Sequence, residues 1–122
     1  MARIPATQTP QLHPRFRVVH RGDIALGPGK MELLALLVET GSLTLAAKQM
    51  DMSYMRAWTL MQTMNDCFTE PVVMAERGGK NGGGMKVTAT GLRALELYRE
   101  IESAAKKAAT TPWRRLQKLL RA

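Results

Sequence analysis

The chain has 122 residues, 45% of them apolar and 23% charged, and a formal net charge of +8. That length fits one compact domain with a modest core and excludes a large enzyme scaffold. The longest apolar run, Leu33 to Val38, has six residues against the ~20 that cross a bilayer, and the amino terminus has no signal-like apolar stretch, so a soluble cytoplasmic protein with no membrane partner is expected.

One cysteine, Cys67, cannot form an internal disulfide, and with only His13 and His20 beside it no metal-ligand spacing arises. No metal and no cofactor are expected. Glu39, Asp51, Asp66 and Glu76 form no paired acid–base motif, and no serine sits in a Gly-x-Ser-x-Gly elbow, so the reading is not an enzyme. The charge is unevenly spread. Residues 1 to 21 carry four Lys/Arg and residues 104 to 122 carry six, with no acid in either stretch, while the middle holds eight basic against ten acidic side chains. Such a balance suits a polyanionic partner, because each neutralised phosphate releases counterions; basic tails that only aid solubility are the plainer alternative.

In chain order, residues 1–14 contain three prolines and no apolar period, and are expected to be a mobile arm. Phe16, Val18 and His20 alternate with Arg15, Arg17 and Val19, and a turn at Gly22-Asp23 leads to Ile24-Ala25-Leu26: a small hairpin. Gly27-Pro28-Gly29 opens a helix near Lys30 with an apolar face of Met31, Leu33, Leu34, Leu37 and Val38, stopped by Gly41. Ser42 or Thr44 caps a second helix, Asp51-Met52 makes a tight link, and Ser53 caps a third that runs to about Asp66. Ala57, Leu60, Met61, Met64 and Phe68 fall on its core side, and Met55, Thr59, Gln62 and Asp66 on the opposite side, with Arg56 and Thr63 flanking.

Val72 to Ala75 and Met85 to Val87 read as strands joined by a glycine-rich loop, with Asn81-Gly82 as its turn pair. Thr88 or Thr90 caps a fourth helix reaching about Ala108, whose Leu92, Leu95, Tyr98, Ile101 and Ala105 form a seam too apolar for a lone small domain and suited to a homodimer. Thr111-Pro112 starts a last short helix with Trp113, Leu116 and Leu120 against Arg114, Arg115, Lys118 and Arg121. The resulting division is an arm over 1–14, a domain over 15–108 and a basic helix over 109–122.

Two helices joined by a tight turn, then a hairpin with a basic glycine-rich tip, are the parts of a winged helix-turn-helix. The fold class is α+β, mainly helical, with a small amino-terminal hairpin and a long carboxy-terminal dimerisation helix. In that arrangement the second helix of the pair enters the major groove of double-stranded DNA. Ser53 and the first amides of its helix suit a phosphate. Tyr54 and Arg56 lie in the first turn; Arg56 can read guanine, Thr59 and Gln62 can reach base edges, and Met55 can touch a thymine methyl. Lys48, Arg77, Lys80, Asn81 and Lys86 belong to phosphate-contacting positions on the first helix and the wing. Tyr54 and Trp58 flank the apolar side and fit either the core or a DNA contact, with the core favoured for Trp58, and the five methionines from Met50 to Met64 fit adaptable packing. A nucleotide-binding loop would need a Lys-Ser/Thr pair and a helix directly after it, and Met85-Lys86-Val87 looks extended instead.

These residues resemble the DNA-binding domain of the ModE family, a relative of LysR-type winged-helix domains. Gly41 to Lys48 is similar to its first helix of the pair, and Ser53-Tyr54-Met55-Arg56-Ala57-Trp58 is similar to its Ser-Tyr-x-x-Ala-Trp motif. Arg77 to Gly84 resembles the family wing, and Thr88, Gly91, Leu95 and Tyr98 the start of its dimerisation helix. The resemblance spans about residues 15 to 105. It implies a DNA-binding transcriptional regulator of molybdenum-related genes, acting as a homodimer. Family members that sense molybdate do so in carboxy-terminal domains for which 122 residues leave no room, so no molybdate site carries over to these residues, and a separate molybdate-binding protein is one candidate partner. Asp51 stands at the turn where the family usually has glycine, and Asp tolerates positive φ better than most residues. A protein-interaction adaptor that keeps the fold without reading bases is the other class to test.

Overall fold

A computed structural model describes residues 9–76 and 84–122. The expected wing tip, with Arg77, Lys80 and Asn81, lies outside the described residues, as do residues 1–8. The described chain is mixed α and β and mainly helical: five helices and two separate two-stranded antiparallel sheets.

Strands β1 (Val18–His20) and β2 (Asp23–Leu26) form the first hairpin. Its turn is Arg21-Gly22 rather than Gly22-Asp23: His20 pairs with Asp23, and both loop residues have positive φ, +54° and +81°. A two-residue loop that follows the twist of the strands requires that backbone, and Gly22 supplies half of it without strain. Helix α1 (Pro28–Thr40) begins two residues before Lys30, with Pro28 in its first turn, where the missing N–H costs nothing. Gly41, at φ +65°, ends it as expected and donates its N–H to the Leu37 carbonyl.

Helix α2 (Leu43–Gln49) is capped by Ser42, whose hydroxyl accepts from the Leu45 amide at 3.1 Å. Its end is a Schellman motif. Asp51 takes φ +54°, its N–H donates to the Lys48 carbonyl, and the Met52 N–H donates to that of Ala47. Helix α3 (Tyr54–Cys67) starts at once, capped by Ser53. Strands β3 (Val73–Glu76) and β4 (Gly84–Val87) pair in register from Val73–Val87 to Glu76–Gly84. Helix α4 (Ala89–Ala108) is capped by Thr88, as expected. Helix α5 (Thr110–Gln117) follows directly through helical Ala109, so Thr111 and Pro112 lie inside its first turn and no side chain caps it.

The core sits where α1, α2, α3, the root of the second hairpin and α4 meet. Leu33, Leu34, Leu37, Leu43, Met64 and Val72 are its largest fully buried side chains. Two expected core residues lie at its edge: Val38 and Trp58 are exposed to 50% and 37%. On α3 the buried side is centred on Ala57, Met61 and Met64, and at 100° per residue Trp58 falls about a right angle away from that centre. Close approach of α4 to the hairpin root depends on Gly91, where an added Cβ would stand 2.3 Å from the Val72 carbonyl oxygen and 2.7 Å from Val87 Cγ1.

The expected seam on α4 is divided. Leu95 and Tyr98 are buried in the chain's own core, whereas Leu92 and Ile101 are exposed. Residues three apart turn 300°, so each step slips back 60° and nine residues carry the line halfway round the helix. Leu92 and Ile101 therefore lie on opposite flanks of the buried pair. Leu92 shares one flank with Val38, Glu96 and Glu100. Leu97, beside Phe68, lies on the other, and Ile101 follows it one turn later.

Candidate nucleic-acid interface

Helix α3 presents a wet side because its apolar side is used up by α1, α2 and β2. Met55, Arg56 and Thr59 are exposed, Tyr54 is exposed to 46%, and Gln62 is half-buried. The Tyr54 alternative between core and surface thus resolves to the surface. Of the five methionines, Met61 and Met64 are buried, Met50 and Met52 pack against the core, and Met55 points away from it.

At the start of α3 the Ser53 hydroxyl accepts from the Arg56 amide at 3.1 Å. This leaves the amides of Tyr54 and Met55 without an acceptor among the described residues. The first turn contains no acidic side chain of the helix's own to offset the positive end of its dipole. Arg56 makes no ion pair among the described residues. Thr59 differs from the expectation in one respect. Its hydroxyl donates to the Met55 carbonyl at 2.9 Å, and Thr63 does the same to Thr59, so both oxygens remain acceptors but their protons are committed. Lys48 lies exposed in the last turn of α2, and Lys86 is exposed on β4 opposite exposed Met74.

The second hairpin is tied to three helices, which fixes Lys86 relative to α3. Asn65, near the end of α3, accepts from the Val72 and Val73 amides at 2.8 and 3.2 Å and donates to the Val73 carbonyl at 3.0 Å. The Met85 amide donates to the Gly41 carbonyl at the end of α1, and the Thr88 amide and hydroxyl donate to Val72 and Pro71 before β3. Sequence reasoning gave Asn65 no role; an asparagine one turn before a helix end that meets a strand start was the available signal.

The first hairpin is anchored differently. Tyr98 on α4 donates its hydroxyl to the Phe16 carbonyl at 2.6 Å, and buried Lys30 donates to the Ile24 carbonyl. Burial raises the Tyr98 phenol above its ordinary value of 10.0, and Glu102 adds to the rise while Arg15 and Arg17 oppose it. Among the described residues no cluster of His, Cys, Asp and Glu could hold a metal ion, and no helix is long and apolar enough to cross a membrane.

No family model matches the chain. Individual proteins do. It is 38% identical over 90 residues to the molybdenum-pterin-binding protein MopB of Rhodobacter capsulatus, covering 74% of this chain and 33% of that one. It is 38% identical over 78 residues to the molybdenum transport protein ModE of Azotobacter vinelandii, covering 64% and 29%. With the DNA-binding transcriptional dual regulator ModE of Escherichia coli K12 it shares 33% identity over 81 residues, covering 66% and 31%. The chain spans about a third of the length of the curated relatives it matches. These homologues support the ModE family.

Proposed function

We propose that this chain is the winged helix-turn-helix, DNA-binding module of a ModE-type, LysR-related transcriptional regulator of molybdenum-related genes, without catalysis of its own. Helix α3 is the recognition helix. The observation that carries the reading is its outward side: Met55, Arg56 and Thr59 stand free of the core toward the amino-terminal end of a helix whose opposite side is packed. A helix about 10–12 Å across fits a major groove about 12 Å wide, and the capped start brings these side chains to the base edges. Arg56 reads guanine, Thr59 accepts from an exocyclic amino group, Met55 meets a thymine methyl, and Gln62 reaches bases at the shallower end. Ser53, Tyr54, Lys48 and Lys86 hold the phosphates, and Arg77, Lys80 and Asn81 extend that contact along the wing.

The module works as a homodimer through α4, using the exposed flanks at Leu92 and Ile101 while Leu95 and Tyr98 hold the helix to its own core. Residues 1–14 act as an arm, 15–108 as the domain, and 109–122 as a basic extension. Molybdate reaches the system through a site other than these residues, on a separate molybdate-binding protein or another part of the regulator. The test is fluorescence anisotropy with labelled duplex DNA at 50 to 300 mM salt. DNA binding predicts an affinity that falls steeply and linearly with the logarithm of salt concentration. A flat salt response favours the adaptor reading and refutes this one.

A further inference from the structure

We propose that Trp58 is a positioning residue of this interface, donating its indole N–H to a phosphate oxygen at the wall of the groove. The inference rests on the DNA reading of α3 and gives a defined contact to a residue for which the sequence pattern favoured the core. Trp58 is 37% exposed, so about two thirds of its surface is covered by the chain and the remainder is open to a partner. Its Nε1–H has no hydrogen-bond partner among the described residues.

Its place on the helix says what it meets. At 100° per residue Trp58 is one residue, and so about 100°, around from base-facing Thr59, while Tyr54 one turn before it and Gln62 one turn after it lie within about 40° of its direction. Tyr54 and Trp58 form a ridge along one flank of α3, and Gln62, about 60° from Thr59, stands between that flank and the base-facing side. A helix that fills the groove turns its flanks toward the two backbones rather than toward the bases. The indole is donor-only at its single polar atom, so the group it recognises must be an acceptor, and the acceptors lining a groove wall are phosphate oxygens. The ring's apolar body then covers the adjoining sugar, leaving the hydrogen bond in a partly dry setting.

Two variants test this. Trp58→Phe keeps a ring and removes the donor; it is expected to bind every duplex about tenfold more weakly with unchanged base preference and an unchanged melting temperature. Trp113→Phe leaves Trp58 as the sole tryptophan, and its emission is expected to be quenched by acrylamide in the free protein and protected once duplex DNA is added. Undiminished binding by Trp58→Phe, or a Trp58 that acrylamide reaches equally in the complex, overturns the contact and leaves the DNA reading standing. Failure of the wild-type protein to bind any duplex overturns the DNA reading, and this contact with it.

Discussion

Replacing Gly91 with alanine tests how the hairpin is set against the helices. The added methyl would stand 2.3 Å from the Val72 carbonyl oxygen, about 1 Å inside ordinary contact, and 2.7 Å from Val87 Cγ1. Val87 can rotate, but the Val72 carbonyl cannot retreat freely, because it accepts the Thr88 amide at 2.9 Å and its residue's own amide is held by Asn65. Overpacking of this kind costs about 3 kcal/mol, and alanine returns up to ~1 kcal/mol of helix propensity. The net loss is therefore about 2 kcal/mol, or roughly 8 °C in melting temperature for a domain of this size. Gly29→Ala is the matched control, since a Cβ there meets nothing within 4 Å and the residue also sits in a helix's first turn; it should melt at or slightly above the wild type. Thermal melts followed by circular dichroism decide. A Gly91→Ala protein melting within about 1 °C of the wild type would refute the close approach of α4 to the hairpin root.

Two further substitutions probe the anchors. Asn65→Ala removes the partner of two buried amides, Val72 just before β3 and Val73 at its start, and of the Val73 carbonyl, and should destabilise by about 2–3 kcal/mol in urea unfolding; a change below about 0.5 kcal/mol would show that the hairpin does not depend on this clamp. Tyr98→Phe should cost about 1 kcal/mol at pH 8 through loss of the bond to Phe16. Because the folded phenol titrates above 10.0, the native state favours its protonated form: its contribution is complete below pH 10 and is lost as pH rises toward the raised value. The difference between wild type and variant should therefore shrink from pH 8 to pH 11, and a difference that grows would contradict the assignment.

Much of this was legible in the sequence because the signals were local. Ser42, Ser53 and Thr88 each cap the helix they precede, and Gly41 ends α1 in the left-handed region. Asp51, placed at the inter-helix turn as a residue tolerant of unusual backbone angles, adopts positive φ. What the sequence hid depends on rotation and on neighbours far along the chain. A three-residue spacing in Leu92, Leu95, Tyr98 and Ile101 looks like a seam on paper but winds around α4, so only its middle reaches the core. Val38 and Trp58 satisfy apolar periodicity at the edge of their stripes, where burial is decided by whether another element covers that edge. Thr111-Pro112 carries the signature of a helix start, yet Ala109 stays helical and joins α4 to α5. Pro112 falls in the first turn, where a missing N–H is tolerated, so the same dipeptide fits both arrangements. On the proposed interface, exposure of Met55, Arg56 and Thr59 followed from helix period alone. The commitment of the Thr59 proton to its own helix is a rotamer choice that no pattern encodes.

On the proposed function, the outward side of α3 reads base pairs. Selection of bound sequences from a random duplex pool, run in parallel with the wild type and Arg56→Ala, tests it most directly. The wild type should enrich a defined motif containing guanine, and Arg56→Ala should lose about 1–3 kcal/mol on that motif and its preference at one base step only. Absence of an enriched motif, or one identical for the two proteins, would contradict it.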